Sequence, residues 1–502
     1  MPASRLNCTA SIELLRRKQL LHNNCMSQVR YLRIHTLFQQ RKFMQLTTAR
    51  MSAAILYSTI LLSPLATTAL AQGAQAATAA PACLTGAYRS PAGEIVTLTQ
   101  RPGFPATLLA SNLDGRTGIF EAGAENTMNA AADADGRPRL AGRLRYAGCQ
   151  DQPLVFQFDG GPEQQWSRLP LRITRTQFMS GPLKLNGELI EPAAPAGKPP
   201  LFVQVHGSES TAAVDASNRA FLMASQGVAA FVFDKRGTGL SEGVYTQDFT
   251  KLADDVAAAV VEARRLSAGR AGRVGVAGFS QGGWVAPLAA TKAPVDFVVV
   301  GYGVIGTPIE QDQWQVDYQL RNLGYGEDVI GKARSLTALA GTVAASNFYA
   351  GLPQLQKAKG RYAGEPWLDK VDGQYTGELL RGEVERARSE SPGVIWHYDS
   401  EAVLRRLAIP QLWVFAQDDS VAPSAPSIAR LDRFRGNDKT IDIAVFPGSD
   451  HGIRTFSVKP DGSRKYAGYA AGYTSLLADW MKGQPLAPDA QDKMLGPTRG
   501  LR

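Results

Sequence analysis

A chain of 502 residues with 44% hydrophobic and 20% charged residues has material for two or three domains with ample cores. Its formal net charge of +9 invites a nucleic-acid reading, but nine of the 54 lysines and arginines and only one of the 45 acids, Glu13, fall within residues 1–71. The remainder is nearly neutral and has no basic stripe interleaved with aromatics, which excludes nucleic acid as the expected partner.

The apolar stretch AAILYSTILLSPLATTAL, residues 53–70, is preceded by Arg50 and closed by Ala69-Leu70-Ala71, a small-x-small cleavage pattern. Residues 1–71 therefore read as an upstream extension followed by a signal peptide, with Met44 or Met51 as a natural initiator. Pro64 and the cleavage pattern favour removal over retention, so no stable membrane anchor is expected after cleavage. A periplasmic or secreted protein beginning at Gln72 is the expectation. Cys8 and Cys25 are then lost, and in an oxidising compartment Cys83 and Cys149 are expected to form a disulfide.

Residues 72–168 read as a small all-β accessory domain. Short alternating runs (EIVTLTQ, ATLLASNL, RTGIFEAG, RLAGRLRYAG, PLVFQFDG) are separated by turn signals at Asp114-Gly115, Asp135-Gly136 and Gly160-Gly161, as in a sandwich or barrel. No motif in this part suggests chemistry.

Residues 169–303 open with an antiparallel strand pair expected to turn at Asn186-Gly187, followed by a Pro-rich link from Pro192 to Pro200. Strand LFVQVHGS, a helix from about Asn218 to Gln226, strand VAAFVFD, a helix over Lys251 to Leu266 and strand RVGVAGF then alternate, which predicts a doubly wound, mostly parallel α/β sheet. After FVVVGYGV the alternation stops. Residues 304–400 carry amphipathic patterns and are expected to form a helical lid insertion; the sheet resumes over 401–485 and ends in a tail, 486–502.

Strand RVGVAGF ends in Gly278-Phe-Ser280-Gln-Gly282, a small-x-Ser-x-small junction leading directly into a helix. The glycines let the chain turn sharply there, and the helix N-terminus favours negative charge beside Ser280. A serine nucleophile needs a base and a carboxylate to hold that base, and two later strands end in suitable groups. QLWVFAQDD ends at Asp418 and Asp419, and IDIAVFPGSDH ends at His451. Of the three histidines left after processing, His206 lies in the loop after LFVQV and His397 in the insertion, and neither has metal-ligand spacing. No metal and no cofactor is implied, and Gly237-Thr238-Gly239 lacks the frame of a phosphate cradle.

Serine, acid and histidine in this order, with His206-Gly207-Ser208 closing an earlier strand and DKRGTGLS following the next, resemble the α/β-hydrolase superfamily over about residues 170–485. The likeness is to secreted bacterial esterase-like and dienelactone-hydrolase-like members. It implies a catalytic triad of Ser280, Asp419 and His451, and an oxyanion hole from the N–H groups of Gln281 and Ser208. Asp419 is preferred over Asp418 because such families place the acid four positions before a proline, here Pro423. Trp314 and Trp396 are candidates to line an acyl pocket. The implied activity is cleavage of a carboxylic ester in a small-molecule acyl substrate, with thioester, amide or peptide as alternatives and a non-catalytic binding protein as another. A prolyl-oligopeptidase-like architecture is disfavoured, since the N-terminal unit is too short for a propeller.

Overall fold

The computed structural model describes residues 82–131, 140–148, 153–158, 161–435, 440–486 and 488–495. The expected signal peptide, Cys149, the Asp135-Gly136 turn and the last residues of the tail lie outside them. The described residues fall within one compact unit, 75–502.

The N-terminal part is a closed eight-stranded barrel: β1 Gly86–Arg89, β2 Ile95–Gln100, β3 Thr107–Asn112, β4 Thr117–Ala122, β5 Thr127–Ala130, β6 Gly142–Arg145, β7 Leu154–Phe158 and β8 Gln164–Arg168, each paired antiparallel to the next, with β8 closing on β1. Closure removes exposed sheet edges. Alternate side chains point inward, and Tyr88, Leu98, Leu108, Phe120, Leu144, Phe156 and Trp166 fill the interior. Cys83, just before β1, is disulfide-bonded. The runs EIVTLTQ, ATLLASNL, RTGIFEAG, RLAGRLRYAG and PLVFQFDG contain five of these strands, while β1, β5 and β8 escaped the pattern.

A second, eight-stranded sheet follows. It consists of β9 Leu171–Ser180, β10 Leu183–Pro192, β11 Leu201–Val205, β12 Ala229–Phe233, β13 Val274–Phe279, β14 Val298–Gly301, β15 Gln411–Ala416 and β16 Ile441–Phe446, in the order β16-β15-β14-β13-β11-β12-β10-β9. Strands β11 to β16 pair in parallel, and the β9–β10 hairpin adds an antiparallel edge. The hairpin does not turn at Asn186-Gly187. It turns at Gly181-Pro182, and Gly187 sits mid-strand opposite Phe233. Glycine is needed at 187 for packing, since a Cβ there would stand 2.8 Å from the Phe231 ring.

Alternation along the parallel strands feeds both faces. Trp413 and Phe415 of β15 join one core, with helices α2 Phe249–Ser267 and α3 Gly282–Ala290; Leu412, Val414 and Ala416 join another, with helix α1 Asn218–Ser225 and the C-terminal helix Tyr473–Lys482. Burial on both faces is why these strands read as continuous apolar runs. Between β14 and β15 stands a helical insertion, Pro308–Asn322, Glu327–Ala345, Leu352–Gly360, Thr376–Arg381 and Val384–Glu390, with its own core around Leu336, Trp367, Tyr375 and Trp396. It is tied to the sheet side by Gln311 Nε2 donating to the Val421 carbonyl at 3.2 Å and Tyr398 Oη donating to the Trp284 carbonyl at 3.2 Å.

Candidate active site

Ser280 sits between β13 and α3 with φ 55°, a left-handed conformation that non-glycine residues adopt only under constraint. The constraint is the close approach of the flanking backbone. A Cβ at Gly278 would stand 2.0 Å from the Gly282 carbonyl oxygen, and one at Gly282 would stand 2.5 Å from that of Val205. Helix α3 begins two residues after the serine, with Gln281 at its N-cap position and the Gly283 N–H bonded back to the Ser280 carbonyl.

His451 lies beyond β16, after the two-residue strand β17 Ser449–Asp450. Its Nε2 accepts from Ser280 Oγ at 2.9 Å, and its Nδ1 is 3.0 Å from Asp419 Oδ2. Asp419, at the exit of β15, is fully buried, and its Oδ1 also accepts the N–H groups of Val421 at 2.9 Å and Ala422 at 2.7 Å. No hydrogen bond joins the Asp418 carboxylate to His451 among the described residues; its backbone N–H donates to the Ser449 carbonyl and its own carbonyl accepts from Arg464. Burial of the imidazole works against its charged form, but the Asp419 carboxylate beside it, its hydrogen bond and the nearby Asp450 charge outweigh this and raise the His451 pKa above its ordinary value.

Asp450 escaped sequence reasoning. Its fully buried carboxylate accepts from the Ser420 N–H at 2.7 Å, the His451 N–H at 2.7 Å and Tyr466 Oη at 2.6 Å, and pairs with Arg464 at 2.6 Å. Burial opposes its ionisation, but these donors more than compensate and hold its pKa below the usual carboxylate value. The loop bearing His451 is thereby pinned to the loop bearing Asp419. The one available signal was an acid directly before the histidine.

The loop after β11 approaches the serine from the other side. A Cβ at Gly207 would be 3.2 Å from Ser280 Cβ. The Gly207 carbonyl accepts from Lys235 Nζ at 2.7 Å, and the Gly207 N–H donates to Glu209 Oε1 at 3.2 Å. Carbonyl and N–H point in opposite directions across a trans peptide, so anchoring the Gly207 carbonyl on Lys235 directs the Ser208 N–H away from the lysine. Lys235 is almost fully buried, and its pKa is pushed down to about 8 by burial against the opposing pull of Glu209. His206 is buried with Nε2 2.6 Å from the Phe233 carbonyl, and His397 is exposed. The Asp234 carboxylate holds its loop by accepting the N–H groups of Ala213, Val214 and Leu240.

A cavity of about 650 Å³ opens over Ser280 and His451, lined by Ser208 and Gln281 of the sheet side and by Gln374, Tyr375 and Trp396 of the insertion. Trp396 is thus placed at the cavity wall. Trp314 is not: it packs beneath the Arg430 guanidinium, 5.0 Å from the ring centre, and against Gly306. Its helical spacing marked a buried face, and that face meets the sheet rather than the cavity. Gln374 and Tyr375 were missed because they lie in a loop whose shape is set by the buried Asp312 carboxylate, which accepts both of their N–H groups.

Comparison with known proteins gives the family. The model of the X-Pro dipeptidyl-peptidase (S15) family matches residues 166–419, which include Ser280 and Asp419. No curated protein matches the chain. Among solved structures, an esterase of Pyrococcus furiosus aligns over 56% of this chain and 84% of its own at 15% identity, with a TM-score of 0.36. The acylaminoacyl peptidase of Pyrococcus horikoshii aligns over 71% of this chain and 52% of its own, at 17% identity and a TM-score of 0.35. Est1E of Butyrivibrio proteoclasticus, with ferulic acid bound, aligns over 61% and 96%, at 18% identity and a TM-score of 0.33. The family match covers half of the chain, and the chain accordingly belongs to the X-Pro dipeptidyl-peptidase (S15) family, as an α/β-hydrolase that is a serine hydrolase.

Proposed function

We propose that the protein is an exported hydrolase that cleaves carboxylic esters through an acyl-enzyme on Ser280. The observation that carries this is the unbroken relay from Ser280 Oγ to His451 Nε2 at 2.9 Å and from His451 Nδ1 to the buried Asp419 at 3.0 Å, opening on the cavity. His451 takes the hydroxyl proton as Ser280 attacks the carbonyl, then returns it to the leaving group; Asp419 keeps the Nδ1–H tautomer and stabilises the imidazolium. The N–H groups of Gln281 and Ser208 receive the oxyanion. Water, activated by the same histidine, releases the acid. The helical insertion acts as a lid that limits access of solvent to the acyl-enzyme. No cofactor enters the scheme.

A second reading, removal of an X-Pro dipeptide, is favoured by the family match and by one feature of the cavity. Glu209 and Glu390 line it. A carboxylate there could hold the α-ammonium that every substrate of such a peptidase carries. The chemistry at Ser280 is the same for both. 4-Nitrophenyl esters of graded acyl length, assayed beside an X-Pro 4-nitroanilide, separate them.

Four outcomes are expected. Ser280→Ala folds but loses about 10⁴- to 10⁶-fold in kcat and no longer reacts with a fluorophosphonate probe; wild-type-like turnover by the pure variant would sink the proposal. Asp419→Asn lowers kcat by up to about 10⁴-fold through the wrong imidazole tautomer, whereas Asp418→Asn costs far less, and the reverse order would transfer the role to Asp418. Because His451 must be neutral to accept the proton and its pKa is raised, kcat/KM should fall with decreasing pH along a limb centred above the ordinary histidine value. A limb centred below that value contradicts the Asp419 pairing. Export is checked by N-terminal sequencing of protein from the native host, expected to start at Gln72; a cytoplasmic product retaining residues 44–71 would refute it.

A further inference from the structure

We infer that Arg219 forms an anion-binding subsite beside the nucleophile, so that the preferred substrate carries a carboxylate close to its scissile ester. This rests on Ser280 being the nucleophile and adds the substrate class. Arg219 is the second residue of helix α1 and lines the same cavity as Ser280 and His451. Its guanidinium carbon lies 3.5 Å from the centre of the Phe279 ring, the residue immediately before the serine. Its Nη2 donates to Tyr302 Oη at 3.0 Å, and the Tyr302 ring stands edge-on to the His451 ring at 5.0 Å.

This cation has no carboxylate partner among the described residues. Other arginines that reach into the fold do: Arg236 pairs with Asp255 at 2.7 Å, Arg270 with Glu191 at 2.6 Å, Arg430 with Glu310 at 2.5 Å and Arg464 with Asp450 at 2.6 Å. Around Arg219 stand phenols. Burial pushes the Tyr302 and Tyr473 hydroxyls above their ordinary pKa, so both remain neutral and neither cancels the charge. Of the cavity's own acids, Glu209 accepts the Gly207 N–H and acts on Lys235 and, more weakly, on Tyr302, but forms no ion pair with Arg219 among the described residues; Glu390 stands on the insertion.

Withdrawing a guanidinium from water without a counter-ion is costly, and stacking on Phe279 does not neutralise it. Of its five N–H donors the Tyr302 bond occupies one and the neighbouring Tyr473 hydroxyl engages another, which leaves donors for a carboxylate. Arg454, three residues after His451, adds a second guanidinium to the cavity wall; it lies 4.3 Å from the Tyr466 ring centre and likewise makes no ion pair among the described residues. A monoester of a dicarboxylic acid, or an ester of a carboxylated alcohol, is the simplest substrate of this kind.

Two matched pairs test it: mono-4-nitrophenyl adipate against 4-nitrophenyl hexanoate, and 3-carboxyphenyl butyrate against its methyl ester. In at least one pair the wild-type protein should favour the anionic member by about tenfold or more in kcat/KM, mainly through KM. In Arg219→Gln that ratio should collapse to about one, and Arg219→Lys, which keeps the charge but not the fork, should lie between. Turnover of the esters without an anionic preference in either pair overturns the inference, as does a loss in the folded variants that falls equally on neutral and anionic members. The equal loss would mean that Arg219 acts only through Tyr302. Failure of the wild type to hydrolyse any of these esters would instead strike the ester reading itself.

Discussion

Ser280 holds its left-handed backbone because three segments approach more closely than any side chain would permit. Glycine at 278 and 282 lets β13, α3 and the end of β11 meet, and Gly283 lies against Gly303 with a would-be Cβ 2.8 Å from its Cα. Everything else at the site is referred to this junction. The β11 exit loop reaches the serine because β11 pairs in parallel register with β13, Val205 opposite Gly278. Tyr302 reaches His451 because β14 pairs on the other side, Gly301 opposite Phe279. A larger residue at any of these glycines would move the strand ends apart and separate groups that touch only across them.

Two carboxylates flank His451, and they have different partners, one bonded to the ring and one to the backbone N–H. Asp450 is occupied by Arg464, Tyr466, Ser420 and the His451 N–H, so its charge fixes the backbone. Asp419 spends Oδ1 on two backbone N–H groups and presents Oδ2 to Nδ1. Of the two adjacent acids, Asp419 is the one hydrogen-bonded to the His451 ring, as expected where side chains alternate at a strand exit.

The parts legible in the sequence are those governed by local rules. The parallel strands announced themselves as apolar runs because both faces are buried, and the elbow did so through its glycines. The barrel was harder. Its β1, β5 and β8 have only four or five residues each, and their alternation is complete only in the company of neighbours far along the chain, as when Tyr88 pairs with Arg168. Asn186-Gly187 carried the composition of a turn, yet the constraint on Gly187 was a phenylalanine from β12 packed against it. Arg464, Tyr466 and Asp312 left no local trace either, since each acts by ending a long-range hydrogen-bond set.

The same long-range logic gives the barrel a place in the site. The Gln100 N–H on β2 donates to the Asp215 carbonyl, and Thr97 Oγ1 bonds Asn218 Oδ1 at 2.8 Å, so the barrel grips the start of helix α1 on either side of its Ser217 cap. Arg219 is the next residue after that grip. Near the serine, Lys235 fixes the Gly207 carbonyl and polarises the peptide whose other end is the Ser208 N–H. Two cations, the buried Lys235 and the half-buried Arg219, thus stand near Ser280 with different mountings. Lys235 is satisfied by the Gly207 carbonyl, while Arg219 lies against the Phe279 ring and donates to the Tyr302 hydroxyl. The barrel thus bears on the start of the helix that carries Arg219, so a change in the barrel's packing is transmitted to that side chain through the first turn of α1.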